Sequence, residues 1–137
     1  RSTHCISSAA SDVYKRQDSG PIAEKVGQLV AEGKCEKGIL ICGTGIGMCM
    51  GANKVFGVKA ALCHNKFTAR YAKRHNNANV LCLGARVISE EVALECVKTW
   101  LKEKFLGGKY ARRMAYLDVI EEHSFYKMKN KETPRYS

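Results

Sequence analysis

Gly38-Ile-Leu-Ile-Cys-Gly-Thr-Gly-Ile-Gly-Met48 is the stretch from which the fold can be read. Gly38 to Cys42 is a short, wholly apolar run that ends in glycines, the pattern of a β-strand buried on both faces. Gly43, Gly45 and Gly47 then fall at alternate positions, so the backbone can turn tightly and expose its N–H groups. A short helix is expected to follow, through Met48 to about Lys54. A buried strand, a glycine turn and a helix start together form an anion cradle of backbone donors and a positive helix end. The spacing differs from the dinucleotide pattern GxGxxG, and the Lys-Ser/Thr of a P-loop is absent. A tight turn without a ligand is the plain alternative.

Outward from this stretch, helix and strand alternate. Upstream, Ser19-Gly-Pro-Ile opens a helix with a cap and a proline in its first turn, and Gly33 closes it. Ile22, Val26, Leu29 and Val30 give it one apolar stripe. Downstream come a strand over Val58–Cys63, a basic helix from about Asn65 to Arg74, and a strand over Asn79–Gly84. Ser89-Glu-Glu starts a helix with a cap and an acidic first turn, running to about Phe105. Gly107-Gly108 breaks it, and a last helix spans about Lys109 to Glu122. This order predicts an α/β domain: a three-layer αβα, Rossmann-like arrangement with a parallel sheet covered on both faces.

Three strands are few for such a sheet, so its first βαβ portion is expected to be missing. Residues 1–17 are small, polar and aperiodic and lack an initiator methionine. They read as a non-native or disordered extension. Residues 18–122 form the expected domain, and 123–137 a polar, basic, loose tail.

Composition narrows the class. The chain has 137 residues, 45% of them hydrophobic and 26% charged, the balance of a globular domain. No apolar run approaches the roughly 20 residues of a membrane span. The seven cysteines form no CxxC pair and no zinc-type cluster with histidine. Free, mostly buried thiols in a reducing cytoplasm are the plain reading. The net charge of +10 suits anionic small substrates as well as nucleic acid. Without a zinc finger, an RNA-binding aromatic motif or a continuous basic tract, neither nucleic acid nor membrane is an expected partner.

Among candidate residues, Cys42 stands at the carboxyl end of its strand, where open α/β sheets bind ligands. Nearby helix amides would favour its thiolate as a base or nucleophile; a small core residue is the alternative. His75-Asn76 closes the basic helix, where a histidine can be a dipole partner only. Arg86, Lys109, Arg112 and Arg113 can be a solvated face or a phosphate grip.

Ile-Cys-Gly-Thr-Gly-Ile-Gly-Met, Ala-Asn-Lys, Ala-Ala-Leu-Cys-His, His-Asn-x-Ala-Asn-Val-Leu-x-Leu-Gly-Ala-Arg-Val-Ile and Phe-x-Gly-Gly occur here in this order. Together, from Asp18 to Glu122, they resemble ribose-5-phosphate isomerase type B and its superfamily relatives, the galactose-6-phosphate isomerase subunits. The resemblance implies an aldose–ketose isomerase that opens a furanose and moves a proton between C2 and C1 through an enediolate. It makes Cys42 the proton-shuttling base, Thr44 the hydroxyl beside it, and His75 the ring-opening group, contributed across a homodimer interface. The loop of Gly43, Gly45, Ile46 and Gly47 would hold the enediolate oxygen. Asp18 and Asn76 would contact the sugar, and Arg86, Lys109 and Arg113 its phosphate. No cofactor and no metal is implied. The alternatives are a galactose-6-phosphate isomerase subunit, disfavoured by Cys42 in the loop, and a catalytically incomplete phosphate-binding domain. Three departures stand out: the family's first strand with its Asp-His pair is not matched, Lys109 replaces an arginine and its bidentate fork, and Ser19-Gly20 replaces Tyr-Pro after Asp18.

Overall fold

The computed structural model describes residues 4–8 and 18–130. Its strands are β1 (His4–Ser8), β2 (Lys37–Cys42), β3 (Ala60–Leu62) and β4 (Val80–Gly84). Its helices are α1 (Ser19–Ala31), α2 (Ile46–Ala52), α3 (Lys66–Arg74), α4 (Glu90–Lys102) and α5 (Lys109–Lys129). The strands form one parallel sheet in the order β1-β2-β4-β3.

The apolar runs at the centre explain the layering, because successive side chains of a strand point to opposite faces. Leu40, Val80 and Cys82 pack with Ala23, Val26 and Val30 of α1 and Met48 and Ala52 of α2. Ile39, Leu81 and Leu83 pack on the other face with Ala69 and Ala72 of α3 and Cys96 and Trp100 of α4. The three-layer α/β architecture is therefore as expected. Trp100 is fully buried, and its indole N–H donates to the carbonyl of Ala78 at 3.2 Å. The indole thus enters the core without an unsatisfied donor.

One strand was not expected. His4–Ser8 lies within the segment read as an extension, yet its backbone pairs with β2 from His4↔Lys37 to Ser8↔Ile41. Pairing at an open sheet edge uses backbone N–H and C=O groups, which every sequence carries, so polar composition does not forbid it. The last helix also departs from expectation: α5 continues past Glu122 to Lys129, through residues assigned to the loose tail. Conversely β3 keeps only Ala60–Leu62, and α4 ends at Lys102, with Glu103 already extended.

Helix starts follow local chemistry. Asn65 and Thr68 form a reciprocal capping box at α3, and Ser89 accepts the N–H of Val92 at α4. Asp18 occupies the cap position of α1 without a side-chain bond, and Ser19 is the first helical residue.

Two asparagine side chains hold the irregular ends around β3. Asn79 accepts the N–H of Lys59 at 2.8 Å and donates to the carbonyl of Gly57 at 2.9 Å. Asn53 does the same for one residue, accepting from Ala60 N–H at 2.8 Å and donating to its carbonyl at 3.0 Å. Asn79→Ala would leave the half-buried Lys59 N–H without its acceptor, while water can reach the exposed Gly57 carbonyl, and a loss of about 1 kcal/mol is expected. Urea unfolding checks it, and an unchanged midpoint would mean that water replaces the amide.

Candidate active site

The site is assembled where β2 and β4 end side by side. Cys42 is the last residue of β2 and pairs with Gly84, the last of β4. Gly45 takes the left-handed conformation, with φ of +80°, and this turns its N–H back onto the Cys42 Sγ at 3.1 Å. A Cβ on Gly45 would lie 2.9 Å from the Leu83 carbonyl carbon, and one on Gly84 would lie 2.5 Å from the Thr44 oxygen. Both glycines are therefore required for the loop to press against the end of β4. Thr44 is exposed, and its Oγ1 accepts the N–H of Ile46 at 3.2 Å.

Arg86 joins this group. Its N–H donates to the Gly43 carbonyl at 2.9 Å, and its side chain runs past Gly43. Ser19, the neighbour of Asp18, has its Oγ 3.0 Å from where a Cβ on Gly47 would stand. Asp18, Cys42, Thr44, the Gly43–Gly47 loop and Arg86 thus share one end of the sheet. The arrangement offers a thiol that already receives a backbone donor, further amides, and a cation.

The second group of candidates lies elsewhere. α3 starts beside the carboxyl end of β3 and runs back, so His75 and Asn76 sit just before β4, at the opposite, amino end of the strands. The four steps from Gly38 to Cys42 alone separate the two ends by ~13 Å. Here His75 stacks on Tyr110, with ring centroids 4.1 Å apart and planes 9° from parallel. Lys109 Nζ and Arg113 Cζ lie 5.2 Å and 5.7 Å from the Tyr110 centroid. Asn76 donates to Met114 Sδ at 3.5 Å. The candidates therefore fall into two groups at opposite ends of the strands.

Among the described side chains Cys42, Cys49, Cys63, Cys82 and Cys96 are free, as expected, whereas Cys35 is disulfide-bonded, against expectation. Cys63, Cys82 and Cys96 are buried core residues. Burial pushes the Cys63 thiol up to about 11 and raises that of Cys96. Cys82 is raised by its hydrogen bond to Cys49 and by burial. Cys49 is lowered to about 7, chiefly by the same hydrogen bond and against the effect of its burial. Sequence reasoning missed Tyr110 and Tyr71. Tyr71 is legible as a helical neighbour of His75 four residues on, but nothing local announces Tyr110.

A large open groove of about 930 Å³ runs between β3, α3 and α5, lined by Phe56, Phe67, Tyr71, Leu117, Ile120 and Phe125 among others. No residue of α5 is buried. Among the described residues no helix is long and apolar enough to cross a membrane.

The chain is similar to known proteins in sequence and in fold. D-erythrulose-4-phosphate isomerase of Pectobacterium atrosepticum is 45% identical over 105 residues, covering 74% of this chain and 69% of that protein. The solved structure of Clostridium thermocellum ribose-5-phosphate isomerase B has a TM-score of 0.79 at 41% identity, over 83% of this chain and 78% of that one. Mycoplasma genitalium ribose-5-phosphate isomerase B, solved with bound ribulose-5-phosphate, has a TM-score of 0.76 at 41% identity, over 81% and 72%. The model of the Ribose/Galactose Isomerase family matches residues 3–117, which carry the strand, the glycine loop and both groups of candidate residues, and the chain belongs to that family.

Proposed function

We propose that the chain is one subunit of an isomerase that interconverts ribose 5-phosphate and ribulose 5-phosphate in the cytoplasm, without a cofactor or metal. The observation that carries the reading is the Gly45 N–H aimed at the Cys42 Sγ where β2 ends. The C2 proton of a sugar is weakly acidic, so a base alone is insufficient and fixed dipoles must hold the charge as it develops. In this reading Cys42, as thiolate, takes the C2 proton and returns it to C1. The amides of the Gly43–Gly47 loop hold the enediolate oxygen, with Thr44 beside them. Asp18 contacts the sugar and Arg86 its phosphate. His75 opens the furanose, while Asn76 binds the sugar and Lys109 and Arg113 the phosphate.

Because His75 and Cys42 lie at opposite ends of the strands, this chemistry needs a second copy, so we read the active unit as a homodimer. The exposed apolar residues of α5, among them Tyr116, Leu117, Ile120 and Phe125, supply a face for it. The test is complementation. Cys42→Ala and His75→Ala proteins, each with turnover lowered about 10²-fold or more but still measurable, are mixed and re-equilibrated. One intact site forms in each mixed dimer, and about a quarter of native activity is expected from random pairing in a two-fold dimer. No recovery would sink the shared site.

A four-carbon substrate is the second reading, favoured by the similarity to the D-erythrulose-4-phosphate isomerase. Comparing kcat/KM for the two sugar phosphates decides between them, and ribose 5-phosphate is the expected winner.

A further inference from the structure

Resting on the reading of His75 as the ring-opening group, we infer that Tyr110 is its positioning residue: the phenol ring clamps the imidazole and sets it against the phosphate-side cations. A proton-transferring imidazole needs its plane fixed and its ring nitrogens left for the substrate. Among the described residues no hydrogen bond holds the His75 side chain. Two aromatic rings hold it instead: Tyr110 stacks on its face at 4.1 Å and nearly parallel, and Tyr71 lies against it at 4.6 Å, tilted by 47°. Tyr71 is in turn braced by Phe67 at 4.7 Å. Stacking of this kind restrains the ring while leaving its edge free.

Tyr110 is well placed to act as the fixed jaw. Gly107 and Gly108 take positive φ values of 68° and 53°, which reverses the chain into α5. The N–H of Leu106 donates to the Arg74 carbonyl at 3.0 Å, tying that reversal to the end of α3 immediately before His75. The cationic groups of Lys109 and Arg113 lie over the same phenol ring. One aromatic ring therefore spaces the imidazole and two cations. The hydroxyl has no part in this, so the clamp requires a ring and not a phenol.

The test uses the full 137-residue chain with Tyr110→Leu, Tyr110→Phe, His75→Ala and the His75→Ala/Tyr110→Leu double variant. Tyr110→Phe is expected to match the native protein. Tyr110→Leu should lower kcat about 10-fold, with a smaller rise in KM, about 3-fold, from the displaced phosphate-side cations; the larger effect on kcat is the signature of a displaced reacting group. In the His75→Ala background the same change should cost nothing further in kcat, because both act on it through one ring. By proton NMR the His75 ring resonances should lie upfield in native and Tyr110→Phe protein and move downfield in Tyr110→Leu. That readout needs no turnover. Unmoved resonances, or an equal further loss in the His75→Ala background, would overturn the clamp while leaving the isomerase reading in place. A fully active His75→Ala protein would instead overturn the role of His75, and the clamp with it.

Discussion

Cys42→Ala is expected to lower turnover of ribose 5-phosphate by about 10²–10⁴-fold, the contribution of a positioned proton-transfer group. Binding should survive, because the loop amides and the cations are untouched. KM, or a directly measured dissociation constant, should therefore stay within about 3-fold of native, so that the loss falls on kcat. The side chain is small and half-buried, so its loss leaves the fold in place, and the melting temperature checks this. A second measurement isolates the step: solvent deuterium should enter the substrate carbon in native protein and fail to do so in the variant. Turnover within 10-fold of native would mean that another group takes the proton.

The second large effect is expected from Gly45→Ala. A left-handed φ costs an L-residue about 1–2 kcal/mol. The added Cβ would also lie 3.0 Å from the Leu83 carbonyl oxygen and 2.9 Å from its carbonyl carbon. The Leu62 side chain, 2.5 Å from the same point, can swing away, whereas the β4 backbone cannot. Overpacking of this kind adds about 1–3 kcal/mol. Together they should lower the melting temperature by ~10 °C or more. Turnover should fall by about 10² as well, because the amide facing Cys42 is displaced with the loop. Gly20→Ala is the control for stability: a Cβ there meets nothing within 4 Å, and the helix gains a better former. Equal melting of the two variants would show that the loop relaxes without cost.

These two residues were legible because strand, turn and helix each leave a local mark. The Gly38–Cys42 run, the alternating glycines and the Ser89 cap could be placed from sequence alone. The placement of Cys42 and His75 at opposite ends of the strands follows from the same alternation, since a residue just before a strand lies at the far end from one just after. What was not legible is non-local. β1 is held by backbone pairing to β2, for which the pattern in His4–Ser8 gives no sign. The extension of α5 to Lys129 escaped because the residues after Glu122 present no buried stripe, and no part of that helix is buried. The contact of His75 with Tyr110 joins positions on different elements, and only the folded chain brings them together.

Asn53 also bears on how the molecule keeps apart from its neighbours. β3 is an outer strand, and its edge is a template on which another chain could extend the sheet. Asn53 fills that place at Ala60, offering one acceptor and one donor to the same two backbone groups that an incoming strand would claim. A single carboxamide thus acts as a one-residue substitute for a fifth strand. At Ala60 the edge is therefore already paired, by one side chain rather than by a further stretch of polypeptide, which is one way of blunting an open edge.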